Sequence, residues 1–136
     1  MKIVVDSYAW IELFSGSDKG RIVKEKLSEA NEVYTPDIVL TELARKYRKE
    51  NVNVETIKMR LSKISEISRI MPINEDIAIK ASELDFELRR IAKESKLKEP
   101  SLFDAIVLAT AKTLNANVIT GDEHFKGRSE VIWIGE

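Results

Sequence analysis

The sequence predicts an α/β domain with a parallel, doubly wound sheet, and two observations carry that expectation. Near the amino end, Ile3-Val4-Val5 forms a β-branched run that does not alternate with polar residues. Such a strand must be covered on both faces, as the central strand of a parallel sheet is. Beyond it, short strand-like runs alternate with segments of helical periodicity along the whole chain, the pattern of helices packed on the faces of a parallel sheet through right-handed crossovers. At 136 residues, one domain spanning residues 1–136 is expected. Folding a chain of that size removes roughly two-thirds of its unfolded surface from water.

The elements follow in order. The first strand stops at Asp6-Ser7, and the helical pattern after it (Trp10, Ile11, Leu13, Phe14) turns away within a residue or two. Asp6 is thereby left at the carboxyl edge of the sheet, where parallel sheets bind ligands. Gly16-Ser17 marks a turn. From Asp18 to Ala30, Ile22, Val23 and Leu27 share one stripe, with Asn31 expected to close the helix in the left-handed conformation. A strand at Glu32 to Tyr34 leads into Thr35-Pro36-Asp37, which reads as an N-cap, a first-turn proline and an acid favoured by the helix dipole. The helix they open turns Leu40, Leu43, Ala44 and Tyr47 inward, until Asn51 to Asn53 break it.

A helix from Val54 to about Glu66 aligns Ile57, Leu61, Ile64 and Ile67. Arg69 to Ile73 reads as a strand, placed at an edge because Pro72 cannot donate to a ladder. Asn74 caps a long helix that is acidic in its first turn (Glu75, Asp76), with the stripe Ile77, Ala81, Leu84, Leu88, Ile91. It frays by Ser95 to Glu99. Pro100-Ser101 opens a helix so apolar, from Leu102 and Phe103 through Leu114, that it must be largely buried, and Asn115-Ala116-Asn117 closes it. Val118-Ile119-Thr120 is the next strand, and Val131 to Ile134 the last. There are no repeats, low-complexity tracts or linkers.

Composition narrows the function. The chain has no cysteine, so disulfides and thiolate metal sites are excluded, and it has no run approaching the ~20 apolar residues of a membrane span. No secretory leader precedes the first strand, and a cytoplasmic protein is expected. Lys and Arg (22) nearly balance Asp and Glu (23), so nucleic-acid binding would have to come from local clusters of charge. Glycine-based nucleotide motifs are absent.

Topology gathers four acids. A helix that feeds a parallel strand ends at the bottom edge of the sheet, so the apolar helix before Val118 begins at the top edge with Asp104 in its first turn. Asp122, just past that strand, returns to the same edge, and Glu42 lies about 9 Å down the helix after the second strand. Each has a local explanation: Ser101 and Asp104 fit a capping box, Asp122 follows Gly121 in a turn, and Glu42 has Lys46 at i+4 for an ion pair. Their coincidence with Asp6 has none. Carboxylates brought together repel unless a cation neutralises them, and hard oxygen ligands suit Mg²⁺ or Mn²⁺.

These residues also carry a resemblance. Asp6-Ser7-x-Ala9-Trp10, Glu42, Asp104-Ala105-Ile106 running into an alanine-rich helix, and Thr120-Gly121-Asp122-x-x-Phe125 resemble, in order and spacing, the signature of the PIN-domain family. In its compact length the chain resembles the VapC-type toxins of prokaryotic toxin–antitoxin pairs. The family's acidic cluster maps to Asp6, Glu42, Asp104 and Asp122, and its small polar residue to Ser7; Thr120 supports the site from the last of these motifs. Gly121 stands where many relatives carry a larger residue.

The resemblance implies a three-layer sandwich around a five-stranded parallel sheet in the order 3-2-1-4-5. It also implies an endoribonuclease using Mg²⁺ or Mn²⁺ held by Asp6, Glu42, Asp104 and Asp122, a homodimer, and a small antitoxin that blocks the acidic pocket. Single-stranded or transfer RNA is the expected substrate, with products bearing a 5′-phosphate and a 3′-hydroxyl. A PIN nuclease of RNA maturation without an antitoxin, and a catalytically silent scaffold, are the alternative readings. A phosphatase of the haloacid-dehalogenase kind is disfavoured, because Tyr8 stands where it requires a second Asp.

The route through the ribose 2′-hydroxyl with two histidines is excluded, since His124 is the only histidine. His124 itself reads as a surface residue on a turn. Arg45, Lys46 and Lys49, with Arg48, form a basic cluster on the Glu42 helix that fits either phosphate contacts or a solvated face. Arg89, Arg90, Lys93, Lys96 and Lys98 form a second such run, and Asp85 with Arg89 reads as an i,i+4 ion pair. Trp10, Phe14 and Phe103 are expected in the core.

Overall fold

The strands β1 (Lys2–Val5), β2 (Glu32–Pro36), β3 (Arg69–Met71), β4 (Asn117–Thr120) and β5 (Val131–Trp133) form one sheet in the order β3-β2-β1-β4-β5 in the computed structural model, which describes residues 1–136. Every neighbouring pair is parallel, as the resemblance implies. The central strand is β1. Its Ile3, Val4 and Val5 are fully buried, as are Val118 and Ile119 of β4 beside it, and full burial of a side chain of this kind contributes about 1.5–3 kcal/mol.

Helices α1 (Ser7–Ser15) and α2 (Asp18–Glu29) join β1 to β2, and α3 (Asp37–Lys49) and α4 (Val54–Ile67) join β2 to β3. The pair α5 (Glu75–Glu94) and α6 (Leu102–Leu114) carries the chain from the β3 edge back past β1 to β4. Right-handed crossovers place helices of opposite travel on opposite faces, so α5 and α6, packed on each other, form the second helical layer. Helix α6 is the buried member: Ala105 to Ala111 are buried without interruption, although Leu102, in its first turn, is 52% exposed.

Several boundaries differ from the sequence expectation for identifiable reasons. Helix α2 ends in an extended Ala30, not in a left-handed Asn31. Asn31 is instead tied to the chain start, its N–H donating to the Met1 carbonyl (2.8 Å) while its side chain accepts from the Met1 amine. Thr35 and Pro36 remain in β2 and pair with Ile70 and Met71 of β3, so Thr35 caps no helix. Strand β3 ends at Met71, leaving Pro72 outside the ladder of this edge strand. Ile22 and Ile67 face outward at 44% and 38% exposure. Other signals hold: Asn115 closes α6, in the left-handed region (φ 54), Asn74 caps α5, and Asp85 pairs with Arg89, while Asn53, within the expected break, also caps α4.

What displaces Thr35 from a capping role is a buried polar chain. The Trp10 indole N–H donates to Thr35 Oγ1 (3.2 Å), the Thr35 and Ser68 hydroxyls bond at 2.7 Å, and Ser68 Oγ donates to the Ile64 carbonyl (2.8 Å). It links α1, β2 and the end of α4 beneath the sheet's upper edge. Thr35→Val keeps the shape but strands the indole N–H and one Ser68 lone pair. A loss of about 1–3 kcal/mol is expected, read as a lower urea midpoint with an unchanged m-value.

Candidate active site

The end of β1 delivers a carboxylate into the protein rather than to water. Asp6 is only 4% exposed. As N-cap of α1 it accepts the Ser7 N–H at Oδ1 (2.8 Å), and at Oδ2 it accepts the Thr120 hydroxyl (2.7 Å). The same Thr120 oxygen accepts the Asp122 N–H (3.0 Å), so one hydroxyl at the end of β4 orients the acids of both strands. Burial, reinforced by the charges of Asp104 and Asp122, nevertheless pushes the Asp6 carboxyl up to about 7 against the hydrogen bond from Thr120.

Glu42 projects from the second turn of α3. Its Oε1 is buried with no hydrogen-bond partner. Burial first, then the charges of Asp6 and Asp104, push it up to about 8, with Arg45 opposing. The ion pair suggested for it goes elsewhere: Lys46 Nζ lies 3.4 Å from Glu50. Asp104 does form the capping box, its Oδ2 accepting the Ser101 N–H (2.9 Å) and its own N–H donating to Ser101 Oγ (3.3 Å). Burial and the neighbouring Asp122 hold its carboxyl above the ordinary range. Asp122 caps a 3₁₀ turn, Glu123–Phe125, by accepting the His124 N–H (2.9 Å). The four predicted acids are therefore brought to one edge of the sheet, close enough that Asp6 and Glu42 each feel both Asp104 and Asp122.

His124 is not a free surface residue. Its Nδ1 lies 2.9 Å from Asp122 Oδ1 and 3.9 Å from Asp104 Oδ2, and its Nε2 lies 2.6 Å from the Lys98 carbonyl oxygen. A carbonyl and a carboxylate both accept, so this geometry needs a proton on each ring nitrogen and hence an imidazolium. Burial lowers its pKa, but the contacts with Lys98 and Asp122 outweigh it and hold it above the ordinary value. The Asp122-x-His124 spacing was the only trace of this in the sequence. The 3₁₀ turn that makes the spacing meaningful leaves no periodic signal.

The donor set fits a hard divalent cation. Asp6, Glu42, Asp104 and Asp122 offer carboxylate oxygens, and the Glu42 Oε1 is buried without a partner. Mg²⁺ and Mn²⁺ take such oxygens. Beside them, Ser7 and Asp122 line a cleft of about 290 Å³ with Tyr8, Ile11, Glu12 and Lys46. Of the basic cluster, Lys46 reaches this cleft, while Arg45, Arg48 and Lys49 are exposed on α3. In the second run Arg89 pairs with Asp85 and Glu99, and Arg90 with Glu94, the pattern of a solvated face. Trp10 is core, stacked on a half-buried Phe14 at 6.0 Å between ring centres.

With this geometry in place the chain can be set beside known proteins. The family model for the PIN domain matches residues 3–130. The chain belongs to the PIN-domain family. Within it, the chain is 33% identical over 122 residues to a VapC ribonuclease of Pyrococcus furiosus, an overlap covering 88% of this chain and 74% of that one. Its fold is similar to that of a toxin–antitoxin complex from Klebsiella pneumoniae, with a TM-score of 0.70, 27% identity and 98% of each chain covered. It is also similar to VapBC-1 from nontypeable Haemophilus influenzae, with a TM-score of 0.71, 20% identity, and 98% and 96% of the two chains covered. No helix of this PIN domain is long and apolar enough to cross a membrane.

The acids make the cation-free protein sensitive to pH. In the folded state Asp6 and Glu42 keep protons to about 7 and about 8, whereas in the unfolded chain they lose them near pH 4. The folded state binds more protons in between, so stability falls as pH rises from about 4 towards 8. In EDTA the melting temperature should be lower at pH 8 than at pH 5.5 from this source. Added Mn²⁺ should raise it more at pH 8, where it meets fewer protons.

Proposed function

We propose that this PIN domain is a Mg²⁺- or Mn²⁺-dependent endoribonuclease and the toxin of a VapBC-type toxin–antitoxin pair. The observation that carries the reading is the meeting of Asp6, Glu42, Asp104 and Asp122 at one edge, with Asp6 and Glu42 pushed up to about 7 and about 8. Such an arrangement is costly for the apo fold, and a bound cation relieves it. Similarity to a VapC ribonuclease and to a toxin–antitoxin complex supports the substrate class and the biological role.

In this reading Asp6, Asp104 and Asp122 hold the cation, with Glu42 completing the set or orienting water. The bound cation would supply Lewis-acid stabilisation of charge developing on the phosphate and a lower pKa for water. The chain's own contribution is positional. Thr120 and the Ser7 N–H fix the two oxygens of Asp6, Thr120 fixes the backbone of Asp122, and Ser101 fixes Asp104. The Glu42 carboxylate, deprotonated when the cation site is filled, is suited to receive a proton from an attacking water. The water oxygen bonds to phosphorus and the bond to the 3′-oxygen breaks, the leaving oxygen taking a proton from solvent, so that the products carry a 5′-phosphate and a 3′-hydroxyl. Lys46, lining the cleft beside Asp122, is placed to meet a neighbouring phosphate, with Arg45 and Lys49 as more distant contacts along α3.

The partner reading has its own support. On α5 the exposed Ile79 and Phe86, at 62% and 78%, stand seven residues apart and so on one face, which offers an apolar stripe for the second copy of a homodimer. Phe86→Glu is expected to shift the protein from dimer to monomer in sedimentation velocity. The antitoxin is proposed to cover the acidic edge.

The nuclease reading is tested on labelled single-stranded RNA and transfer RNA with Mg²⁺, Mn²⁺ or EDTA. Cutting should require the cation, leave 5′-phosphate ends, and fall more than about 100-fold in Asp6→Asn and Glu42→Gln, the scale of losing one preorganised electrostatic group. Cutting that persists in EDTA or in Asp6→Asn would refute the assignment.

A further inference from the structure

The proposed chemistry leaves unused a cavity of about 540 Å³ lined by both chain neighbours of Asp122, Gly121 and Glu123. Its lining includes Tyr8, Ile91, Glu123, His124, Lys126 and Trp133. Tyr8 borders both this cavity and the smaller cleft that Asp122 lines, so the two hollows adjoin at one side chain. His124 joins the cavity to the acids, since the ring that lines it stands 2.9 Å from Asp122.

Two glycines shape the aromatic wall. A Cβ at Gly121 would strike the Tyr8 ring and come within 2.9 Å of Gly135 Cα. A Cβ at Gly135 would strike the Trp133 ring and come within 2.8 Å of the Gly121 carbonyl. Both rings therefore lie directly against main chain. Lys126 Nζ sits 5.6 Å from the centre of the Trp133 ring, placing a cation at the same wall, and the exposed Glu123 adds a carboxylate acceptor.

We infer that this cavity is a nucleobase subsite, which takes one unpaired base next to the scissile phosphate and gives the enzyme its base preference. The inference rests on the ribonuclease reading. Its occupant follows from the chemistry of the wall. Flat aromatic faces bind bases by stacking, a nearby lysine meets the adjoining phosphate, and a carboxylate accepts from an exocyclic amine. The size lies within the range of small-molecule pockets. A base carrying an exocyclic amine is favoured over uracil by the Glu123 acceptor.

The test is cleavage of a random-sequence single-stranded RNA pool by the full chain, with the cut sites sequenced. The same pool is given to Trp133→Ala, which removes the stacking face, and Ile91→Trp, which fills the hollow. Mn²⁺ binding is followed by calorimetry in all three. Wild type should show a base preference at one position beside the cut, disfavouring uracil. Both variants should bind Mn²⁺ as wild type does yet lose the preference. On the preferred RNA their KM should rise by about 5- to 150-fold, the range for losing one base–aromatic stack, with kcat changing far less. Cutting without any base preference, or a preference that survives in a variant with intact Mn²⁺ binding, overturns this inference alone. A wild-type protein that cuts nothing overturns the nuclease reading and this one with it.

Discussion

A carboxylate buried at the end of the central strand is the constraint on which the upper half of this molecule depends. Asp6 continues a fully buried run, Ile3 to Val5, and is itself 4% exposed. An ionised group there loses its hydration and must be met by donors or neutralised. The fold supplies two donors, the Ser7 N–H and the Thr120 hydroxyl, and then brings three further acids to the same place. In the reading proposed above, these acids supply oxygen ligands and a bound cation supplies the balancing charge.

The acids are held by the devices that end the elements. Asp6 caps α1, Asp104 completes the capping box of α6, and Asp122 caps the turn after β4. Capping fixes one oxygen or the backbone while the carboxylate still contributes to the shared field. The local and the functional explanations of these residues are therefore compatible. Glu42 lacks any such anchor: it sits mid-helix with one oxygen unpartnered, and burial with the neighbouring acids pushes it up to about 8. That asymmetry distinguishes it from the other three as the acid with a buried oxygen that nothing in the fold satisfies.

Much of this was legible in the sequence because the signals were local and redundant. The unalternating strand, the Asn74 cap, the closure of the apolar helix at Asn115 and the Ser101–Asp104 box each state a backbone preference within a few residues, and topology alone carried the four acids to one edge. What escaped depends on contacts across the chain. Thr35 looked like an N-cap until Trp10 and Ser68, distant in sequence, claimed its hydroxyl. His124 looked like a surface residue because neither the 3₁₀ turn nor the Lys98 carbonyl that receives its second proton has a sequence signature. Tyr8 was noted only for not being an aspartate. Its place between two hollows depends on Gly121 lying beneath its ring.

The decisive measurement is the number of protons released when Mn²⁺ binds, obtained by titration calorimetry at pH 7 in two buffers of different ionisation enthalpy. Asp6 and Glu42, held at about 7 and about 8, carry protons in the cation-free protein at that pH, and a cation bound among them must displace these. Release of about one proton per ion is expected, declining towards none by pH 9 and greatly weakened in Asp6→Asn. Absence of binding, or tight binding with no proton release at pH 7, would contradict a cation site built on these buried acids.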